Sequence, residues 1–240
     1  MTRPQIHGVL FDKDGTLLHF EETWGRNNRA AALMAAEGDG DLAQSLLVAA
    51  GVDPETGKTR SGSVLAAGNT SEIAELWTSI GARVHGDRLV DELDIIFGNS
   101  MKQASAIEGT ATLLEALRSR GLKLGVASSD SETAIRVFLE TTGLAHHFDF
   151  VTGYDTGHGH KPDPGMLEAF CRACGLPSGT VAVVGDNPQD MMMARSGRAG
   201  LAVGVLTGTG SEEELRSLAD VVLTDITGLS ALLDYAVAEV

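Results

Sequence analysis

Asp12 and Asp14 stand one residue apart in "GVLFDKDGTLL", where an apolar run stops abruptly before Gly15 and Thr16. Two carboxylates this close repel each other unless a proton or a cation offsets them. If strand alternation continues through them, both point to one side and Lys13 points away with no role. Three further groups could join the pair: Ser128 and Ser129 after "LGVA", Lys161 after "HGH", and Asp186 and Asp190 in "VAVVGDNPQD". Up to four carboxylates with few nitrogen or sulfur alternatives select a hard cation, and magnesium commonly bridges carboxylates to phosphate. The missing partner of the aspartate pair is thus expected to be Mg2+, aided by the ammonium of Lys161.

With the cation in place, the remaining groups suit phosphoryl transfer, where catalysis is mostly positioning and charge stabilisation. One aspartate can attack, splitting hydrolysis into two displacements through an aspartyl-phosphate. The other can protonate the leaving oxygen and then deprotonate water. Gly15 permits a turn that a Cβ would resist, so that backbone N–H groups there can face phosphate.

These residues meet only if the chain folds so that loops from distant segments share one edge. Short apolar runs at Ile6 to Phe11, Leu122 to Ala127, Phe148 to Thr152, Val181 to Gly185, Leu201 to Leu206 and Val221 to Leu223 read as strands. Helical patterns lie between most of them, ended by Gly121 and Gly143 and opened at Pro164, at Pro188, near Ser211 and after Gly228. This alternation predicts an α/β fold, a parallel sheet with helices on both faces. The loops carrying Asp12, Ser128, Lys161 and Asp186 then lie together at the carboxyl ends of the strands.

Between Leu18 and about Ile107 the alternation breaks. No strand is evident there, but helical patterns run near Glu22 to Glu37, Asp41 to Ala50 and Ser71 to Ile80, the last with Asn69 and Glu72 spaced as a capping box. The expected organisation is a catalytic core of residues 1–18 and 108–240 and a mostly α-helical insertion of residues 19–107. His19, Phe20, Trp24, Arg26 and Arg60 are its candidates for facing a substrate.

"FDKDGTL", "GVASSD", "HGHKPDP" and "VGDNPQDM" resemble, in order, the four motifs of the haloacid dehalogenase superfamily, over nearly the whole chain. The resemblance implies a Rossmann-like core with a C1-type helical cap; closure of that insertion over substrate is expected because two linkers, near Leu18 and Ile107, join the pieces. It implies Asp12 as nucleophile, Asp14 as acid/base, Ser128 and Lys161 as phosphate ligands, and Asp186 as metal ligand with Asp12 and the Asp14 carbonyl, Asp190 holding a metal-bound water. Ser129 stands where the family often has asparagine. Within the superfamily the chain looks most like phosphoglycolate phosphatases, which implies a small phosphorylated metabolite, phosphoglycolate or a small sugar phosphate, as substrate. A phosphomutase, a phosphonate-cleaving hydrolase with Lys58 or Lys102, and a signalling phosphoacceptor are the alternatives.

Composition bounds the rest. A net charge of -15 argues against binding a nucleic-acid backbone. No apolar run reaches the roughly 18 residues of a membrane span, so a cytoplasmic monomer or homodimer is expected. Cys171 and Cys174 form a lone C-x-x-C and read as ordinary thiols. His158 and His160 read as exposed loop residues, and Met191, Met192 and Met193 as packing residues.

Overall fold

The computed structural model describes residues 5–235. Strands β1 (Gly8–Phe11), β2 (Lys123–Ala127), β3 (Phe150–Thr152), β4 (Val181–Gly185), β5 (Leu201–Val205) and β6 (Val221–Leu223) form one sheet in the order β3-β2-β1-β4-β5-β6. Every neighbouring pair is parallel. The chain works outward from β1 to β3 and then crosses back to start again at β4. The strand order therefore reverses between β1 and β4, the point at which doubly wound sheets open a crevice at their carboxyl edge.

Helices α1 (Phe20–Ala35), α2 (Gly40–Ala49), α3 (Val64–Ala67), α4 (Thr70–Ile80) and α5 (Asp87–Ser100) fill the interval after β1. The crossovers and the chain end carry α6 (Thr110–Ser119), α7 (Glu132–Thr141), α8 (Gly165–Cys174), α9 (Pro188–Ser196), α10 (Glu212–Leu218) and α11 (Leu229–Tyr235). Apart from Lys123 and Thr152 the strand residues are apolar or glycine, as a sheet covered on both faces requires. Val9 and Phe11 pack into a cluster with side chains of α6 and α7, while Leu10 points the other way, among Met166, Phe170, Met191 and Leu215 of α8, α9 and α10. Gly125 lets the Phe170 ring approach the strand closely: a Cβ there would come within 2.7 Å of it.

The first cluster does not stop at the sheet. It continues into the helical insertion through Leu17, Leu18, Phe97 and Met101 to Leu46, Trp77, Leu89 and Leu93. Helix α4 starts as its sequence suggests. Asn69 Oδ1 accepts from the Glu72 N–H at 3.1 Å, and Glu72 Oε2 accepts from the Asn69 N–H at 2.8 Å. Ile73 and Trp77 are buried, but Ile80, expected on the same face, is 42% exposed because it sits in the last turn, beyond the packing partners.

Some boundaries differ from the sequence reading. Helix α8 begins one residue later than Pro164, which occupies the capping position without a side-chain hydrogen bond. Two helices of the insertion, α3 and α5, carry no strong start signal: neither Ser63 nor Gly86 caps with a side chain. The pattern that betrays α5 is Leu89, Leu93 and Phe97, four residues apart and all buried.

Candidate active site

Asp12 lies one residue past β1, and its N–H still donates to the Val184 carbonyl at 2.8 Å. Then the chain turns. The N–H groups of Thr16, Leu17 and Leu18 all donate to the Lys13 carbonyl, and Gly15 takes φ +74°. A Cβ on Gly15 would also lie 2.6 Å from Asp186 Cγ, so glycine is required twice, by torsion and by space.

Because strand geometry ends at Asp12, alternation does not carry Lys13 away. Lys13 is completely buried, contrary to the expectation that it has no place in the site. Its Nζ lies 2.7 Å from Asp14 Oδ1, 3.1 Å from Asp130 Oδ2 and 3.3 Å from Met101 Sδ, and 5.3 Å from the centre of the Trp24 ring. Trp24 Nε1–H donates to the same Asp14 Oδ1 at 2.6 Å. Burial alone would lower the Lys13 pKa, but Asp14 and Asp130 more than offset it and the net shift is upward.

Four strand ends contribute to the adjoining cluster. Lys161, from the loop after β3, places Nζ 2.5 Å from Asp12 Oδ1 and 2.7 Å from Asp190 Oδ1. Asp186 follows β4 and accepts from the Thr209 N–H at 2.7 Å. Asp190 sits in the first turn of α9, where its Oδ2 accepts from the Asn187 N–H at 3.1 Å and closes a capping box. One oxygen of each of Asp12, Asp186 and Asp190 lies within 4.8 Å of the other two.

One ammonium does not balance three clustered carboxylates. Burial raises the Asp12 pKa to about 7; Lys161 opposes the shift, and Asp190 and Asp14 add to it. Burial, then Asp12 and Asp190, push Asp186 well above the ordinary carboxylate range. Lys161 is raised too, Asp12 and Asp190 more than offsetting the effect of its burial. An all-oxygen donor set carrying excess negative charge fits a hard divalent cation, and no histidine or cysteine belongs to the trio.

The remaining site residues fall around this centre. Ser128 Oγ accepts from the Asp130 N–H at 3.1 Å and lies 3.4 Å from Asp14 Oδ2. Ser129 turns its hydroxyl to the Ala67 carbonyl of the insertion at 3.0 Å. A cavity of about 30 Å³ is lined by Asp12, Asp14, Ser128, Lys161, Asp186 and Asp190. A second, of about 50 Å³, is walled by Phe20, Trp24, Leu65, Ile73 and Phe97, and it shares Asp14, Ala66 and Ser129 with the first. Of the insertion residues singled out from sequence, Phe20 and Trp24 line this cavity. Arg26 instead lines a separate groove, and Arg60 donates to the Gly51 and Val48 carbonyls.

Sequence reading overlooked the loop after β5, Leu206 to Gly210. A Cβ on Gly208 would lie 1.8 Å from Asp186 Oδ2, and Thr207 Oγ1 donates to the Gly15 carbonyl at 2.6 Å. The signal was present as small residues, "TGTG", directly after a strand.

A family model described as haloacid dehalogenase-like hydrolase matches residues 6–198. The phosphoglycolate phosphatase of Rhodospirillum rubrum is 37% identical over 122 residues, 51% of this chain and 50% of that protein. The phosphoglycolate phosphatase of Pectobacterium atrosepticum is 26% identical over 96% of this chain and 94% of its own length. The chain spans about half the length of the first curated relatives it matches. Among solved structures, CbbY from Rhodobacter sphaeroides in complex with phosphate superposes with a TM-score of 0.72 at 20% identity, covering 96% of this chain and 100% of that one. A hydrolase from Pseudomonas syringae gives 0.69 at 24% identity, with 95% and 98% covered. With most of its length matched by the family model, this chain belongs to the haloacid dehalogenase-like hydrolase family.

Proposed function

We propose that the protein is a magnesium-dependent phosphatase that hydrolyses a small phosphomonoester through an aspartyl-phosphate on Asp12, with residues 19–107 acting as a cap over the substrate. The observation that carries the reading is the buried contact of Asp12, Asp186, Asp190 and Lys161 on one small cavity whose wall also holds Asp14. The names of the relatives from Rhodospirillum rubrum and Pectobacterium atrosepticum support the reaction class.

Asp12 and Asp186 would hold the ion, with Asp190 beside them. The bound ion supplies positive charge to offset the carboxylates and the phosphoryl oxygens during transfer. Lys161 Nζ and Ser128 Oγ–H orient the phosphoryl group by donating to its oxygens. An Asp12 oxygen then attacks phosphorus as the ester P–O bond breaks. Asp14 delivers its proton to the leaving alkoxide oxygen, then takes a proton from the water that cleaves the acyl phosphate, which returns both aspartates to their starting state. Lys13 and Trp24 both donate to Asp14 Oδ1, which fixes the carboxyl plane and leaves Oδ2 as the atom that carries the proton.

The test is phosphate release from p-nitrophenyl phosphate. Release should vanish with chelator and fall at least about 10³-fold in Asp12→Asn. Undiminished turnover in that variant removes Asp12 as nucleophile.

A further inference from the structure

We propose that the cavity beside Asp14 receives a short uncharged group bearing one hydrogen-bond acceptor, so that the substrate is the phosphate ester of a small neutral alcohol rather than of a hydroxy acid. This narrows the phosphatase reading and rests on it. Asp14 belongs to both cavities, so a phosphoryl group among Asp12, Ser128 and Lys161 directs its leaving oxygen, and whatever that oxygen carries, into the second one.

The walls there are aromatic and aliphatic, with Trp24 and Phe97 stacked edge to face, their ring centres 5.1 Å apart. Such a surface rewards carbon and penalises charge left without a partner. Among the described residues, the charged side chains on the lining are Asp14 and Asp130, both carboxylates. Among the described residues no lysine or arginine lines it. Lys13, the nearest ammonium, has three N–H groups and three neighbours for them in Asp14, Asp130 and Met101. Lys161 serves Asp12 and Asp190 in the other cavity. A carboxylate on the leaving group would therefore meet two acidic side chains and no free cation.

What the cavity does offer is a donor. Asn28 lies one turn beyond Trp24 on α1, is 3% exposed and lines the cavity, and its Nδ2 has no hydrogen-bond partner. An unpaired buried N–H is costly, and a carbonyl, ether or hydroxyl oxygen on the ligand would satisfy it. Thr70 does not compete for that ligand, because its hydroxyl donates to Asp94 Oδ1 at 2.8 Å.

Hydroxyacetone phosphate and phosphoglycolate differ in little but a methyl ketone against a carboxylate, which makes them a matched pair. With magnesium-loaded protein, kcat/KM for hydroxyacetone phosphate should exceed that for phosphoglycolate by about tenfold or more. Asn28→Ala should shrink the advantage of hydroxyacetone phosphate over propyl phosphate, which has no acceptor to offer. Phosphoglycolate turned over as well as the ketone, or better, overturns the inference and leaves the phosphatase reading intact. So does hydrolysis of p-nitrophenyl phosphate with neither small ester accepted. Failure to release phosphate from all four esters overturns the phosphatase reading and this inference with it.

Discussion

Lys13 keeps its ammonium on two carboxylates, a sulfur and an aromatic face, entirely out of water. Removing one partner of such a buried group strands the others. Lys13→Met should therefore lower the free energy of unfolding by about 3–5 kcal/mol in urea titrations, and pairing it with Asp130→Asn should recover part of the loss. Stability unchanged by the single substitution would mean that Asp14 and Asp130 find water once Lys13 is gone. At this scale the sequence was legible where side chains belong to short motifs, as for Asp12, Asp14, Lys161 and Asp186. It misled where a periodicity was extended past the element that owns it. Lys13 is two residues beyond the end of β1, and the turn stabilised by its own carbonyl reverses the direction that alternation assigns. Asp130 and Thr209 were invisible for another reason: their partners are 117 and 23 residues away, and no spacing rule connects them.

Between elements, polar contacts besides those of Trp24 and Met101 with the Asp14–Lys13 pair join the helical insertion to the sheet. Ser129 donates to the Ala67 carbonyl at the end of α3, and Tyr154 O–H, just after β3, donates to Asp94 Oδ2 of α5 at 2.9 Å. Partial burial and the neighbouring Asp94 raise the Tyr154 pKa, so the phenol stays a donor through neutral pH. Tyr154→Phe should cost roughly 1–2 kcal/mol locally, seen as faster amide exchange in α4 and α5 with the sheet unaffected. Equal acceleration across β1 and β4 would show that the contact is not local. The sheet and its crossovers could be read from strand-sized apolar runs punctuated by glycine, and α4 from its cap. Helix α5 has no cap to announce it, starting after Gly86 with five charged residues mixed into its length, so only the spacing of Leu89, Leu93 and Phe97 marks it.

For the whole molecule, the clustered aspartates tie stability to pH and to metal. A carboxylate whose folded pKa is raised binds more protons in the folded state, so stability falls as pH rises through the window between the two pKa values. For Asp12 that window runs from 3.8 to about 7, and Asp186 shifts in the same direction. Metal-free protein should lose stability as pH climbs from about 4 to 7. Magnesium at about a hundred times its Kd should restore roughly 2.7 kcal/mol, with an apparent affinity that rises over the same window. A melting temperature indifferent to magnesium at pH 7.5 would contradict this. The acidity of the chain, -15 overall, works in the same sense by favouring bound cations.

The apolar cluster runs without a seam from the sheet through Leu18, Phe97 and Met101 into the insertion. Swinging the helices outward would wet side chains that also belong to the core beside the sheet, so opening the cap would carry a hydrophobic cost. On the phosphatase reading, a substitution far from the aspartates that tightens this shared interior should slow exchange of reactant and product and leave the bond-breaking step unchanged, a difference that single-turnover against steady-state kinetics reads.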